Sequence, residues 1–582
     1  KSKNHKYSRY LPPICKINPV WQPKIRKNTL KHPFVKYISL KKALKYPNLC
    51  YNFNGGRNME KKKEVKKTKK TTPKKVATTK TQKSVEVKEK ATVKAKETPK
   101  VEAIKTVEPA KKTKKTKNHG LFKVLAICIF VAIVLTWIIP TGYFSAGEYT
   151  KGAIARTGIN EIFLSMFYST NYYLLQIIFI LGVGVFYGVI SKTKGYNAFV
   201  EKLASIFKGK EKLFVLLNTL IIALFVSFAT QFFPILIFIP VMISVAKKLG
   251  FSRLNSIAMT FGAMMCGFTG ATYTTYGISY INQNMSTTTS SALGIRFGIL
   301  AIAYILLNAL IFIKMNKEAK ENKNLEIADP FTPENSEKGK SLGFFILFGI
   351  LFVLVVLGYM PWSNSFGIDA FTKFHTWLTT DLTIKIGETS HPIVKYILGT
   401  NAQAFGTWDL YTITYIMLIA GIIVKFACKL KFDDCLEYAV DGIKKVVKPA
   451  LYIMLAYTMF VICYWSGFTT WFVNALSTTT FNPFTNAIAN AIAQFFHVDF
   501  GYTGFSLSAF YAAKYSNYTS TILTIMTSIH GLISFVAPTS VLMLVGLSTY
   551  DISYKDWLKY IWKFVIGLLI VLLIIFAVMT YM

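Results

Sequence analysis

The sequence predicts an all-α polytopic membrane protein that carries a disordered, basic amino-terminal tail. Three observations predict it. Several apolar runs reach the roughly 20 residues a helix needs to cross a bilayer. The 582-residue chain is 52% hydrophobic and only 16% charged. The charge is also segregated: residues 1–118 hold 36 of the 68 Lys/Arg against 7 acidic residues, so the remaining 464 residues carry only +11 of the net +40. The basic balance therefore belongs to the tail and not to the embedded body.

The tail divides at Met59, the first methionine. Gly55-Gly56-Arg57, just before it, matches what a purine-rich ribosome-binding tract would encode in frame. The expectation is that residues 1–58 are upstream sequence and that the native chain starts at Met59, which mass spectrometry of the native amino terminus would check. Residues 59–118 are rich in Lys, Thr, Val, Ala and Pro, with no aromatic residue. Such a segment buries too little apolar surface to fold. Its lysines suit anionic lipid headgroups and a cytoplasmic amino terminus under the positive-inside rule. Without stacking aromatics or a folded module, nucleic-acid binding is not expected. The basic stretch is too long for a cleavable signal peptide. Seven scattered cysteines form no CxxC pair, so neither a disulfide framework nor a zinc site is indicated.

The first transmembrane half is expected over 119–314. Its opening span, Leu121 to Pro140, stops at Pro140 and Gly142, and a moderately polar loop leads to a second span from Tyr172 to Ser191. Tyr196 to Lys212 is basic, with Phe199, Leu203, Ile206 and Phe207 at helical spacing, and predicts an interfacial helix. Leu213 to Ala229 runs into the uncharged turn Thr230-Gln231-Phe232-Phe233-Pro234 before Ile235 to Ala246 resumes, so this turn is placed within the membrane. Ser256 to Gly277 is rich in Gly and Thr, and a further span follows Arg296, which is expected to snorkel to an interface.

Residues 315–340 read as a charged linker, and the second half, 341–582, repeats the outline. Ser341 to Pro361 corresponds to the opening span, and Leu410 to Ala427 to the second, after a long loop. Phe432 to Lys448 is again basic and amphipathic; Leu451 to Phe472 follows, broken at Ser466-Gly467. Asn482 to Phe496 leads to the most interrupted stretch, Phe500 to Leu547, and a last span ends at Met582. About 10–12 membrane elements in two related halves follow, with inverted repeats and broken helices or re-entrant hairpins as the expected plan.

Interrupted helix inside lipid requires protein or a watery cavity to satisfy its freed backbone groups. The breaks are therefore the candidate substrate site: Thr230 and Gln231; Thr269, Gly270, Thr272 and Thr274; Thr503, Gly504 and Ser506; Thr539 and Ser540. Free N–H groups at helix starts attract anions, and hydroxyls add neutral hydrogen bonds. Carbonyls at the same breaks, near Gly267, Gly270 and Pro538, would suit a sodium ion. The alternative for each residue is close helix packing by small side chains. Lys514 is a rare intramembrane charge, suited to a substrate carboxylate or to pairing with Asp499, or to a water-facing hairpin edge. His530, alone on an apolar helix, is expected to be a packing residue.

Several stretches resemble the C4-dicarboxylate anaerobic carrier-like proteins of bacteria, within the larger ion-transporter superfamily: TWIIPTGYF at 136–144, FFPILIFIPVMISVAKKLGF at 232–251, GFTGAT at 267–272, and APTSVLMLVGLSTYDISYKDWLKY at 537–560. The resemblance spans residues 120–582 and implies a carrier of dicarboxylates or, in its antiporter branch, of basic amino acids, with dimers common in the superfamily. Three departures stand out. Ala229-Thr230-Gln231 replaces the family's Glu-Glu pair, Tyr273-Thr274 its Asn-Pro, and Gly501-Tyr502-Thr503-Gly504 its Ser-Gly-Ser-Gly loop.

Together these features predict a secondary active transporter of the bacterial cell membrane. It would move a small carboxylate-bearing metabolite, an organic acid or amino acid, by alternating access with sodium symport or exchange. A membrane-embedded enzyme would need convergent His, Asp, Glu or Cys, which the scattered distribution argues against; a passive channel is the other alternative. No cofactor is expected beyond sodium as a coupling ion.

Overall fold

A computed structural model describes residues 120–145, 148–320, 329–333, 339–497 and 499–582. The expectations for the basic tail, including the start at Met59 and its lipid contacts, lie outside them, as does half of the charged linker.

The opening apolar run forms α1 (Gly120–Ile138). Pro140 ends it, and the loop expected next instead holds a hairpin of β1 (Pro140–Ser145) and β2 (Glu148–Ile154). The second span is α2 (Ile159–Tyr172) and α3 (Leu174–Ile190), bent by 64° at Tyr173. The basic amphipathic stretch is α4 (Lys194–Phe207), N-capped by the Thr193 hydroxyl. After α5 (Glu211–Phe228) the chain passes through the uncharged turn into a 3₁₀ segment, Phe233–Ile237, and α6 (Ile239–Lys248).

A helix then runs from α7 (Arg253–Ile257) through a π segment, Ala258–Gly262, to α8 (Ala263–Gly270). Short α9 (Ile278–Met285) and long α10 (Leu293–Lys320) complete this half. In the second half come α11 (Leu342–Tyr359), then α12 (Ala370–Thr376), a small hairpin of β3 (Ile384–Ile386) and β4 (Thr389–His391), and α13 (Ile393–Leu398) within the long loop. The span α14 (Leu410–Ala427) follows, with bounds matching the apolar run.

Two expectations change here. The basic stretch Phe432 to Lys448 does not form a separate interfacial helix. It is the first part of α15 (Phe432–Ser466), 35 residues that continue through Pro449. Proline deletes a single backbone bond, and surrounding helices bury the joint: Val446, Pro449 and Ala450 are all buried. Gly501 and Gly504 do not break the chain either. After α16 (Phe468–Leu476) and α17 (Pro483–Phe496) they lie in the first turns of α18 (Phe500–Lys514), whose N-cap is Asp499. The true breaks are a 3₁₀ turn at Ser516–Tyr518 before α19 (Thr519–Ser534), and the Pro538 turn before α20 (Val541–Thr549). The chain closes with α21 (Tyr554–Tyr581).

Among the described residues seven helices are long and apolar enough to cross a membrane, or eight with the bent α2–α3 pair. The shorter broken helices supply the remaining elements. Outward faces of α11 and α14 leave Ile346, Ile350, Val353, Ile422, Ile423 and Phe426 exposed, as a lipid-facing surface requires. The interior is continuous across both sequence halves. Gly184 and Gly188 of α3 lie against Gly442 of α15 so closely that a Cβ at Gly442 would overlap the Gly184 carbonyl oxygen.

Candidate functional site

Two helices break beside each other. α8 ends at Gly270 because Ala271 adopts a left-handed conformation, φ +37°. Its carbonyl is taken by Arg296 Nη1 at 2.7 Å, while Nη2 donates to the Thr289 carbonyl. Arg296 is wholly buried. It does not snorkel, because the Ala271 carbonyl at the break and the Thr289 carbonyl in the turn after α9 hold its guanidinium inside. The irregular stretch after Ala271 is moored to the end of α5. Thr272 N–H donates to Ser227 Oγ at 2.9 Å, Thr274 N–H to Ser227 O at 3.0 Å, and Thr274 Oγ1 to Ala229 O at 2.5 Å.

The second break follows α19. Pro538 offers no N–H, and Ser540 recaps the chain as α20, its hydroxyl accepting from Met543 N–H at 3.5 Å. Thr539 Oγ1 donates to Phe495 O at 2.7 Å. The two broken helices touch: Ser528 Oγ donates to Thr269 O at 2.9 Å, and Gly531 lies directly on the Thr269 backbone, with no room for a Cβ.

Between them lies a cavity of about 30 Å³. Phe232, Phe268 and Tyr276 form its wall in the first half; Tyr457, Gln494 and His530 face them; Ala537, Thr539, Ser540, Val541 and Leu542 close it at the start of α20. No carboxylate, lysine or arginine lines it. Among the described residues the N–H groups of Val541 and Leu542 have no acceptor in the protein. Gln494 donates from Nε2 to Met526 O at 2.9 Å and leaves Oε1 unpartnered. The His530 ring, between Phe268 and Phe500, makes no hydrogen bond among these residues.

The predicted residues thus divide. Thr539 and Ser540 line the cavity, beside Pro538. The hydroxyl of Thr269 donates back along its own helix to Met265 O, and Thr272 and Thr274 hold the first break. Gly267 and Gly270 admit α5 and α10 against α8. Thr230 N–H donates to Tyr359 O while its Oγ1 is buried without a partner; Gln231 adjoins it, half-buried. Thr503 and Ser506 bond within α18, and Gly504 lets the Gly277 carbonyl approach. Lys514 does not pair with Asp499. The two stand at opposite ends of α18: Lys514 Nζ donates to Ser477 O at 2.8 Å, and Asp499 accepts from Tyr173 OH at 3.1 Å. Tyr276, Tyr457 and Gln494 went unnoticed in the sequence. Each sits on a separate, ordinary-looking helix or turn, and nothing local marks their convergence.

A model of the C4-dicarboxylate anaerobic carrier family matches residues 119–581. The chain belongs to that family. No curated protein matches it. Among solved structures, one that is similar is the YdaH transporter of Alcanivorax borkumensis, described as having an unusual topology; it is 11% identical, covers 79% of this chain and 98% of its own, and has a TM-score of 0.37. In this C4-dicarboxylate anaerobic carrier family member the described chain is accordingly a multi-pass membrane carrier, whose breaks in the apolar helices adjoin a cavity lined by uncharged residues.

Proposed function

We propose that this carrier is a secondary transporter of the bacterial cell membrane for a small carboxylate-bearing metabolite, an organic acid in preference to an amino acid. The cavity at the start of α20 carries this reading. Free N–H groups of a first helical turn form an anion site through their partial positive charge, and neutral polar groups of Tyr457, His530 and Ser540 lie around it. The lining itself holds no carboxylate for an amino acid's ammonium group, and Asp499 behind it is engaged by the hydroxyls of Tyr173 and Tyr276.

The cavity is far smaller than the roughly 300 Å³ or more of a typical small-molecule site. The geometry therefore fits a closed state of an alternating-access cycle, which opens when the α8 and α19–α20 breaks separate. Sodium symport or substrate exchange is the accompanying mode. Counterflow in proteoliposomes with labelled succinate, aspartate, arginine and ornithine, with and without a sodium gradient, tests this. Succinate flux is expected. Flux of arginine and ornithine alone would replace the acid reading with an amino-acid antiporter, and absence of flux for every compound would remove its support.

A further inference from the structure

One face of α17 carries Asn486, Asn490 and Gln494 at helical spacings of four, and its C-cap, His497, follows three residues on. All four are buried, with Asn486 at 1%, Asn490 at 0% and Gln494 at 3% exposure. Each keeps one polar atom without a partner: Oδ1 of both asparagines, Oε1 of Gln494 and Nδ1 of His497. The orientations of the three amides are forced. Their NH₂ groups donate to backbone carbonyls, which can only accept: Asn486 to Asn482 O at 2.8 Å, Asn490 to Asn486 O at 2.9 Å, and Gln494 to Met526 O at 2.9 Å. A flipped amide would set oxygen against oxygen. The three amides therefore each leave an oxygen lone pair free while their nitrogens are engaged.

Buried acceptors left unsatisfied are costly and uncommon. Three of one polarity on one helix face, ending at a cavity, call for a positively charged or hydrogen-donating occupant. We propose that this row is a hydrated site for a small monovalent cation, fed from the substrate cavity at Gln494. It rests on the carrier reading only for its purpose, not for its occupant. Successive amides are about 6 Å apart along the helix axis, close to the span of one bridging water at about 2.8 Å from each oxygen. No carboxylate lies in the row, so a divalent ion, which favours charged oxygen ligands, is the poorer match. At the far end the hydroxyl of Tyr515 stands near Ser477 and Asn486, and the Lys514 ammonium is fixed on Ser477 O. That positive charge opposes cation passage there, leaving the cavity as the approach.

Two measurements on the purified full chain test the site without needing a transported substrate. In hydroxyl-radical footprinting, Tyr511, whose OH accepts from Asn490 Nδ2 at 3.0 Å, is expected to label severalfold faster than Tyr187, equally buried but bonded to a backbone carbonyl. Equal, slow labelling would mean a dry row and would overturn the proposal. Replacing N-methylglucamine by sodium is then expected to raise the melting temperature of the wild type, and of Gln176→Leu, an orphaned amide outside the row, but not of Asn490→Leu or Asn486→Leu. A sodium shift retained in both row variants, or absent from the wild type, would leave only structural water and refute the cation site. If counterflow showed no flux while these results held, the carrier reading would fail and the cation site would stand.

Discussion

At the scale of single residues, the site's chemistry rests on side chains whose partners come from elsewhere in the chain. Gln494 offers the cavity an oxygen because Met526 O holds its NH₂ group. Gln494→Leu keeps the volume and removes that acceptor; we expect the initial counterflow rate to fall by about tenfold, with the protein still monodisperse. Arg296 illustrates a structural role for an intramembrane charge. Its guanidinium joins Ala271 O to Thr289 O, a span the single ammonium of lysine does not reproduce. Arg296→Lys should lower stability by about 1–3 kcal/mol, since a buried carbonyl loses its donor. The melting temperature would show this, and an unchanged value would mean that the break holds without it.

At the scale of elements, the piece of linker at 329–333 is docked and not merely a spacer. Asp329 accepts from Ser244 Oγ of α6 at 2.6 Å and from Phe331 N–H at 2.9 Å, and the buried Phe331 ring lies beside Tyr187 of α3 and under Lys445 of α15. Burial pushes the Asp329 carboxyl above the usual carboxylate range, against these donors and the charge of Lys247. Because the folded form binds the proton more tightly, this group stabilises most below its ordinary value, and the contribution is lost as pH rises through the raised one. Wild-type melting temperature should therefore decline from acid toward neutral pH. Asp329→Asn, which keeps an acceptor and cannot ionise, should flatten that profile; an identical decline in the variant would place the titration elsewhere.

At the scale of the whole molecule, the two sequence halves are packed through each other. The α3–α15 crossing at Gly184, Gly188 and Gly442 brings backbones into direct contact, an arrangement open only to residues without a Cβ. Gly442→Leu should separate these helices and lower stability by at least about 1–3 kcal/mol, the usual effect of overpacking. Size-exclusion profile and melting temperature would report it. Residues 341–582 expressed alone should fail to give a monodisperse species, because α15 would lose the surface that α3 provides.

The sequence by itself determined the membrane class, the helical content and most span bounds, since apolar runs of sufficient length have one stable conformation in lipid. It also marked the Thr539–Ser540 turn, where Pro538 cannot donate a helical hydrogen bond and Ser540 caps the next helix. Hydroxyl and glycine patterns did not distinguish a ligand from a mooring: Thr272 and Thr274 bind the end of α5, and Thr539 the end of α17, through partners some 45 residues distant. Gly504 looks like a break in the sequence, but a helix tolerates glycine silently when a neighbour, here the Gly277 carbonyl, needs the space. Only the tertiary structure brought Tyr276, Tyr457, Gln494 and His530 to one cavity. Each polar group's role depends on whether its hydrogen-bonding capacity is already met, and that is decided by packing between helices distant in sequence.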